Sequence, residues 1–245
     1  GQMPRIVGLA YASKLYRNNK NLSDMENFSI NGNEVVFGTI GDASTSEGHF
    51  WEAINACGVL QVPLIMSIWD DGYGISVPSE YHTTRNDLSK ALSGFQRSSK
   101  KENGYEIFTV HAWDYINLLK TYQKAEKLAR EDHVPCIIHV KDVTQPQGHT
   151  TSGSHERYKS KERLNWEKDF CCIKRMREWI IENNFASNSE IDIIEKNAEE
   201  IAKKSRDRSW KSYRDDIKED FDDTIAVITR VAPVSYTHLR AHETC

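Results

Sequence analysis

A chain of 245 residues with 38% hydrophobic and 28% charged residues is long enough to bury one sizeable core, which suits a large α/β domain or a domain with an appendage. Its formal net charge of -4 provides no broad basic surface, so the composition argues against a nucleic-acid partner and leaves small anionic ligands open. The five cysteines show no CxxC spacing, and neighbours such as Cys171 and Cys172 do not readily bridge each other. With no apolar run of bilayer length and no signal-peptide pattern, the expectation is a cytoplasmic protein with reduced thiols and no membrane partner.

The chain opens at Gly1 on "PRIVGLAYASKLYR", where Ile6, Leu9, Ala10 and Leu15 recur at helical spacing. Such an abrupt start implies that something precedes it. From Asn33 to Val140, strand-like and helix-like blocks alternate, as in parallel strands joined by crossover helices. The strand candidates are 33–42, 62–71, 105–114 and 134–143, short and rich in β-branched or aromatic residues. Between them, residues 45–60 place Phe50, Ile54, Cys57 and Val59 mostly on one face, and residues 114–132 repeat Leu118, Tyr122, Ala125 and Ala129; both read as helices. "AWDY" at 112–115 reads as a helix start. The predicted architecture is a doubly wound, mainly parallel α/β sheet flanked by helices, with further helices at the C-terminal end.

Each candidate strand carries an acidic residue at or next to its end, and open α/β sheets bind ligands just beyond the carboxyl ends of their strands. Attention therefore falls on Asp42 and Asp71. After Val143 comes the polar loop "TQPQGHTTSGSHERYKS", of a length that is often functional. From Ser160 onward the periodicity is helical and strongly charged, with "SEID" from Ser189 reading as a capped helix start and the charge runs as solvated faces. The expected organisation is a cofactor domain over 1–160, a helical extension over 161–223 and the start of a following segment at 224–233. Residues 234–245 contain "VSYTHLRAHET", which resembles the translation of a sequencing-library adapter and is set aside as an artefact, an ordinary tail being the alternative.

Residues 40–76 form one unit of strand, small-residue turn, helix, strand and acidic turn. The turn Gly41-Asp42-Ala43-Ser44 leads towards a helix, whose free N–H groups and dipole favour a phosphate. Asp42 beside a phosphate would repel it unless a hard cation lay between. Mg²⁺ is held in that way, by one or two carboxylates plus phosphate oxygens, and Asp71 at the next strand tip can supply the second carboxylate. Taken alone, "DDGYG" is a turn signal and His149 an ordinary loop histidine. His111, His133 and His139 read as strand-end or surface residues.

The unit resembles the thiamine-diphosphate motif of Gly-Asp-Gly, a spacer of just under thirty residues and Asn-Asn, here Gly41-Asp42-Ala43 and Asp70-Asp71. "FWEAINAC", the opening "GQMPRIVGLAYA" and the loop "GHTTSGSHERYKS" are similar to segments of the α chain of the decarboxylating first component of 2-oxo acid dehydrogenase complexes, in the right order over residues 1–160. The branched-chain type is favoured on overall resemblance. The alternatives are another thiamine-diphosphate enzyme of transketolase type and a non-catalytic α/β nucleotide-binding or assembly module.

The resemblance implies thiamine diphosphate and Mg²⁺ as cofactors, with Asp42, Asp71 and the Tyr73 carbonyl as metal ligands. Gly41 and the N–H groups of Ala43 and Ser44 would then line the diphosphate, and His149 would reach it from the loop as the catalytic proton donor. Asp70 would face solvent or cap the turn. The implied partners are a β chain or fused β domain supplying a catalytic glutamate, a lipoyl-bearing acyltransferase component and a 2-oxo acid substrate. Three departures stand out: Asp71 replaces asparagine, Ala43 replaces the second glycine and so requires a negative φ, and Gly153 and Tyr158-Lys159 replace the aspartate and Tyr-Arg of the loop.

Overall fold

The computed structural model describes residues 1–22, 24–149 and 154–243, with side chains described to residue 233. The chain divides into two compact units, Gly1–Trp179 and Ile180–Cys245. In chain order the strands are β1 (Val36–Gly41), β2 (Leu64–Trp69), β3 (Tyr73–Gly74), β4 (Val77–Pro78), β5 (Glu106–His111) and β6 (Cys136–Lys141). The helices are α1 (Met3–Asn18), α2 (Gly48–Leu60), α3 (Leu88–Ala91), α4 (Tyr115–Asp132), α5 (Lys161–Asp169), α6 (Cys172–Glu182) and α7 (Asn188–Glu243).

Four strands form a sheet in the order β1-β2-β6-β5, with every neighbouring pair parallel. Helices cover both faces, as the alternation of blocks predicts. On one face Ile6 and Ala10 of α1 and Phe50, Ile54 and Cys57 of α2 pack with Leu64, Met66 and Ile68 of β2. On the other, Ala125 and Ala129 of α4 pack with Ile65, Cys136 and Ile138. The odd and even residues of β2 thus feed two different cores, which is why the strand is buried from Leu64 to Ile68 and reads as a continuous apolar run. β3 and β4 form a small antiparallel ladder beyond the end of β2.

Several expectations need correction. The second helix begins at Gly48, not at residue 45, because Ala43–Ser46 form a 3₁₀ turn. Val59 is 66% exposed, turned away from the face that carries Phe50, Ile54 and Cys57. His111 does sit exposed at the end of β5, but His133 and His139 are buried. His133 closes α4 in the left-handed conformation, its Nε2 2.9 Å from the Gly32 carbonyl. His139 lies within β6 between Ser89, 2.6 Å from Nδ1, and Asp70, 2.7 Å from Nε2. The start of α7 is capped by Ser187 rather than Ser189. The Ser187 Oγ accepts from the Glu190 N–H and the Glu190 carboxylate accepts from the Ser187 N–H, a reciprocal capping box. α7 continues without a break through residues 224–233 and on to Glu243, and the side chains of the suspected artefact at 234–245 lie outside the described residues.

Candidate functional site

The two acidic turns stand side by side at the carboxyl edge of the sheet. β1 and β2 run in register from Val36↔Leu64 to Gly41↔Trp69, and the Asp42 N–H continues the ladder to the Trp69 carbonyl at 3.2 Å. Thr45 donates its hydroxyl to the Asp42 carbonyl at 2.6 Å, tightening the 3₁₀ turn. Ala43 keeps a negative φ, since it is absent from the non-glycine residues with positive φ, and so meets the condition its side chain imposes. The second turn is folded by its own carboxylates: Gly72 N–H donates to Asp70 Oδ1 at 2.9 Å and Tyr73 N–H to Asp71 Oδ1 at 3.1 Å. Gly72 has a φ of +80°, a left-handed conformation that favours glycine. A Cβ at Gly74 would lie 2.9 Å from the Cβ of Ala43, so only a glycine lets the two turns approach this closely. A Cβ at Gly41 would meet open space.

Asp42 and Asp71 are each 4% exposed, and each leaves Oδ2 buried without a hydrogen bond. The nearest cationic candidates stop short: His82 Nε2 is 3.9 Å from Asp42 Oδ2 and His149 Nε2 is 3.4 Å from Asp71 Oδ2. Burial, followed by repulsion from Asp70 and Asp71, pushes the Asp42 carboxyl up to about 7. Burial also raises Asp71, against the pull of His149, the Tyr73 N–H, Lys159 and Arg163. Asp70 behaves oppositely. Burial opposes its charge, but the hydrogen bond and charge of His139, the Gly72 N–H and Lys141 outweigh that and hold its carboxyl low. Asp70 therefore caps its turn as expected, but it faces the buried His139 rather than solvent.

Sequence reasoning missed the support beneath the second turn. Lys159 and Glu167 are buried and paired at 2.7 Å, and Arg163 reaches the same carboxylate at 2.8 Å. Arg163 also donates to the Asp71 carbonyl at 2.8 Å. Both cations lie over the Tyr73 ring, at 4.9 and 5.6 Å from its centroid. The spacing of Lys159, Arg163 and Glu167 was visible, but in a stretch as charged as "KSKERLNWEKD" it reads as a solvated helix face. His82 was also missed, since nothing in "SEYHTTRN" singles it out. It borders a polar cavity of about 480 Å³ shared with Thr45, Trp51, Arg85 and Lys90.

The predicted site residues thus gather at one edge: Gly41, Asp42, Ala43 and Ser44 at the tip of β1, Asp71 and Tyr73 beyond β2, and His149 beside Asp71. Gly153 lies outside the described residues. Among the described residues no group of three or more His, Cys, Asp and Glu side chains could hold a metal ion. The donors here are two carboxylates with orphaned oxygens and, as a backbone oxygen, the Tyr73 carbonyl. That set suits a hard cation whose remaining ligands are phosphate or water oxygens.

A parallel sheet with helices on both faces and two acidic turns at its carboxyl edge defines an α/β domain whose candidate site lies at that edge. The chain belongs to the family described as "Dehydrogenase E1 component", which it matches over residues 1–215. It is 27% identical over 212 residues to the pyruvate dehydrogenase E1 component subunit alpha of Rickettsia bellii (strain RML369-C), covering 86% of this chain and 57% of that protein. It is 28% identical over 225 residues to the mitochondrial 2-oxoisovalerate dehydrogenase subunit alpha of Dictyostelium discoideum, covering 91% of this chain and 46% of that one. The human 2-oxoisovalerate dehydrogenase subunit alpha is 26% identical over 182 residues, 74% of this chain and 36% of its own length. The chain spans about half the length of the first of these relatives, or less of the others.

Proposed function

We propose that the chain is the metal- and diphosphate-binding part of a thiamine-diphosphate-dependent 2-oxo acid dehydrogenase, catalysing oxidative decarboxylation with acyl transfer to a lipoyl carrier. One observation carries the reading: two buried carboxylates on neighbouring strand tips, each with an unpartnered oxygen, in a chain of the E1 component family. In this reading Asp42, Asp71 and the Tyr73 carbonyl would hold Mg²⁺, whose positive charge would offset the burial and the mutual repulsion that raise Asp42. The Ala43 and Ser44 N–H groups would hold a phosphate oxygen, beside Gly41, where a side chain would meet nothing. His149, 3.4 Å from Asp71, carries the proton on the loop side of the site. Arg163 and Lys159 keep the Asp71 turn in place from below.

When bound, thiamine diphosphate supplies a nucleophilic carbon and an electron sink for decarboxylation. The glutamate that activates the coenzyme is assigned to a β chain or fused β domain, and a lipoyl-bearing acyltransferase component accepts the product. The branched-chain class of 2-oxo acids is favoured, supported by an apolar hollow of about 410 Å³ at the same sheet edge between Trp69, Leu119, Tyr122 and Val143. Turnover of 2-oxoisovalerate at a higher kcat/KM than pyruvate by the complete assembly supports that choice, and the reverse order rejects it. The test of the whole reading is calorimetry with Mg²⁺ and thiamine diphosphate on the assembly with its β partner: Asp42→Ala abolishes Mg²⁺-dependent binding, and unchanged affinity in that variant sinks the proposal.

A further inference from the structure

In the second unit, α7 carries an apolar stripe that nothing within the unit covers. Trp210, Tyr213, Ile217, Phe221, Ile225, Ile228 and Val231 are between 44 and 61% exposed. At 100° per residue they fall within an arc of about 120°, with a mean spacing of about 3.5 residues. Trp210 and Tyr213 already stack, with centroids 5.7 Å apart. Most helical stability in proteins comes from burying such a face, and an exposed stripe of this size marks an interaction surface.

The charges on the same helix say what covers it. Residues 203–214 hold six cations and one carboxylate, whereas residues 215–223 hold six carboxylates and one lysine. Side-by-side parallel pairing of two such helices sets like charge on like. Antiparallel pairing about residue 215 lays the basic half of each along the acidic half of the other. The same register sets Tyr213 of one copy opposite Ile217 of the other and brings Trp210 within one residue of Phe221, so that apolar and ionic matches coincide. We infer that α7 pairs with α7 of a second copy of this chain, antiparallel, through the Trp210–Phe221 stripe. None of its residues belongs to the acidic turns, and the inference does not depend on the cofactor reading.

Sedimentation equilibrium on the full chain tests the inference. A concentration-dependent dimer is expected, with R208E/K211E and D220K/D223K each weakening it about tenfold and an equimolar mixture of the two restoring it. Raising salt weakens the wild-type dimer, since exposed charges are screened. Orientation is read by mild oxidation: a mixture of W210C and F221C forms the mixed disulfide, whereas a disulfide between two W210C chains overturns the antiparallel register. A chain that stays monomeric at about 100 µM, or a stripe protected only when a β chain is added, overturns the inference. So does a dimer indifferent to both charge reversals and to F221D. Should F221D lower helicity by circular dichroism, the charge-reversal mixture remains decisive because it leaves the stripe intact.

Discussion

Asp42 makes the unliganded chain less stable as pH rises, and the size of the effect follows from its surroundings. Its carboxyl, pushed up to about 7 by burial and by Asp70 and Asp71, ionises near 3.9 in an unfolded chain. A carboxyl raised on folding favours the folded state fully below about pH 4 and loses that advantage as pH climbs through about 7. The shift corresponds to about 4 kcal/mol at full value, reduced to about 2 kcal/mol once water and the neighbouring carboxyls relax around the charge. Asp42→Asn, which stays neutral, should therefore match wild type near pH 4 and gain on it by about 2 kcal/mol at pH 8, or about 4–8 °C in melting temperature. Thermal unfolding followed by circular dichroism at a series of pH values measures this. Saturating Mg²⁺ with thiamine diphosphate should reverse the order, stabilising wild type at pH 8 and leaving the variant unmoved. A variant that tracks wild type at every pH, without cofactor, would show that the Asp42 carboxylate is not an uncompensated buried charge and would refute the reasoning.

Asp70→Ala leaves the buried His139 without its 2.7 Å partner and the turn without its cap, so urea denaturation at pH 7 should show a loss of about 2–3 kcal/mol. Because the Asp70 carboxyl is held low, the stability it contributes is present above about pH 4 and is lost as pH falls through its lowered value; the gap between variant and wild type should close in acid. Gly74→Ala collides with the Ala43 Cβ and should cost about 1–3 kcal/mol and weaken Mg²⁺-dependent cofactor binding. Adding Ala43→Gly should recover about 1 kcal/mol or more of that loss, and an additive double variant argues against contact between the turns. Lys159→Met removes one of two cations from the buried Glu167 and should lower stability by about 3 kcal/mol in a chemical melt. The chain alone should turn over no 2-oxo acid in a decarboxylation assay.

The sheet was legible because each of its strands is a local signal. β2 is apolar on both sides and ends in a glycine-bearing acidic turn, and α4 repeats Leu118, Tyr122, Ala125 and Ala129 in the order its buried face requires. The pairing of Asp42 with Asp71 was also legible, since a strand, a crossover helix and the next parallel strand bring successive carboxyl ends to the same edge. What misled were residues whose environment comes from far along the chain. A histidine in "CIIHVK" does not announce that Asp70, 69 positions earlier, will meet it, nor does the charged start of α5 announce that Lys159 and Glu167 will be sealed beneath Tyr73. Helix starts slipped for a local reason: the 3₁₀ turn at 43–46 and the Ser187 capping box compete with equally plausible hydroxyl residues nearby.

By itself, then, the order of residues determined the alternation of elements, the edge where they end and the two carboxylates that stand there, because each depends on periodicity or short spacing. Only the tertiary structure decided which of the adjacent acids finds a side-chain partner. Asp70 meets the ring of His139 from a neighbouring strand, whereas Asp42 and Asp71 are buried, which raises their carboxyl groups, and each keeps one oxygen without a hydrogen bond. Solvation and long-range contact set that difference, and neither is written in any local stretch of sequence.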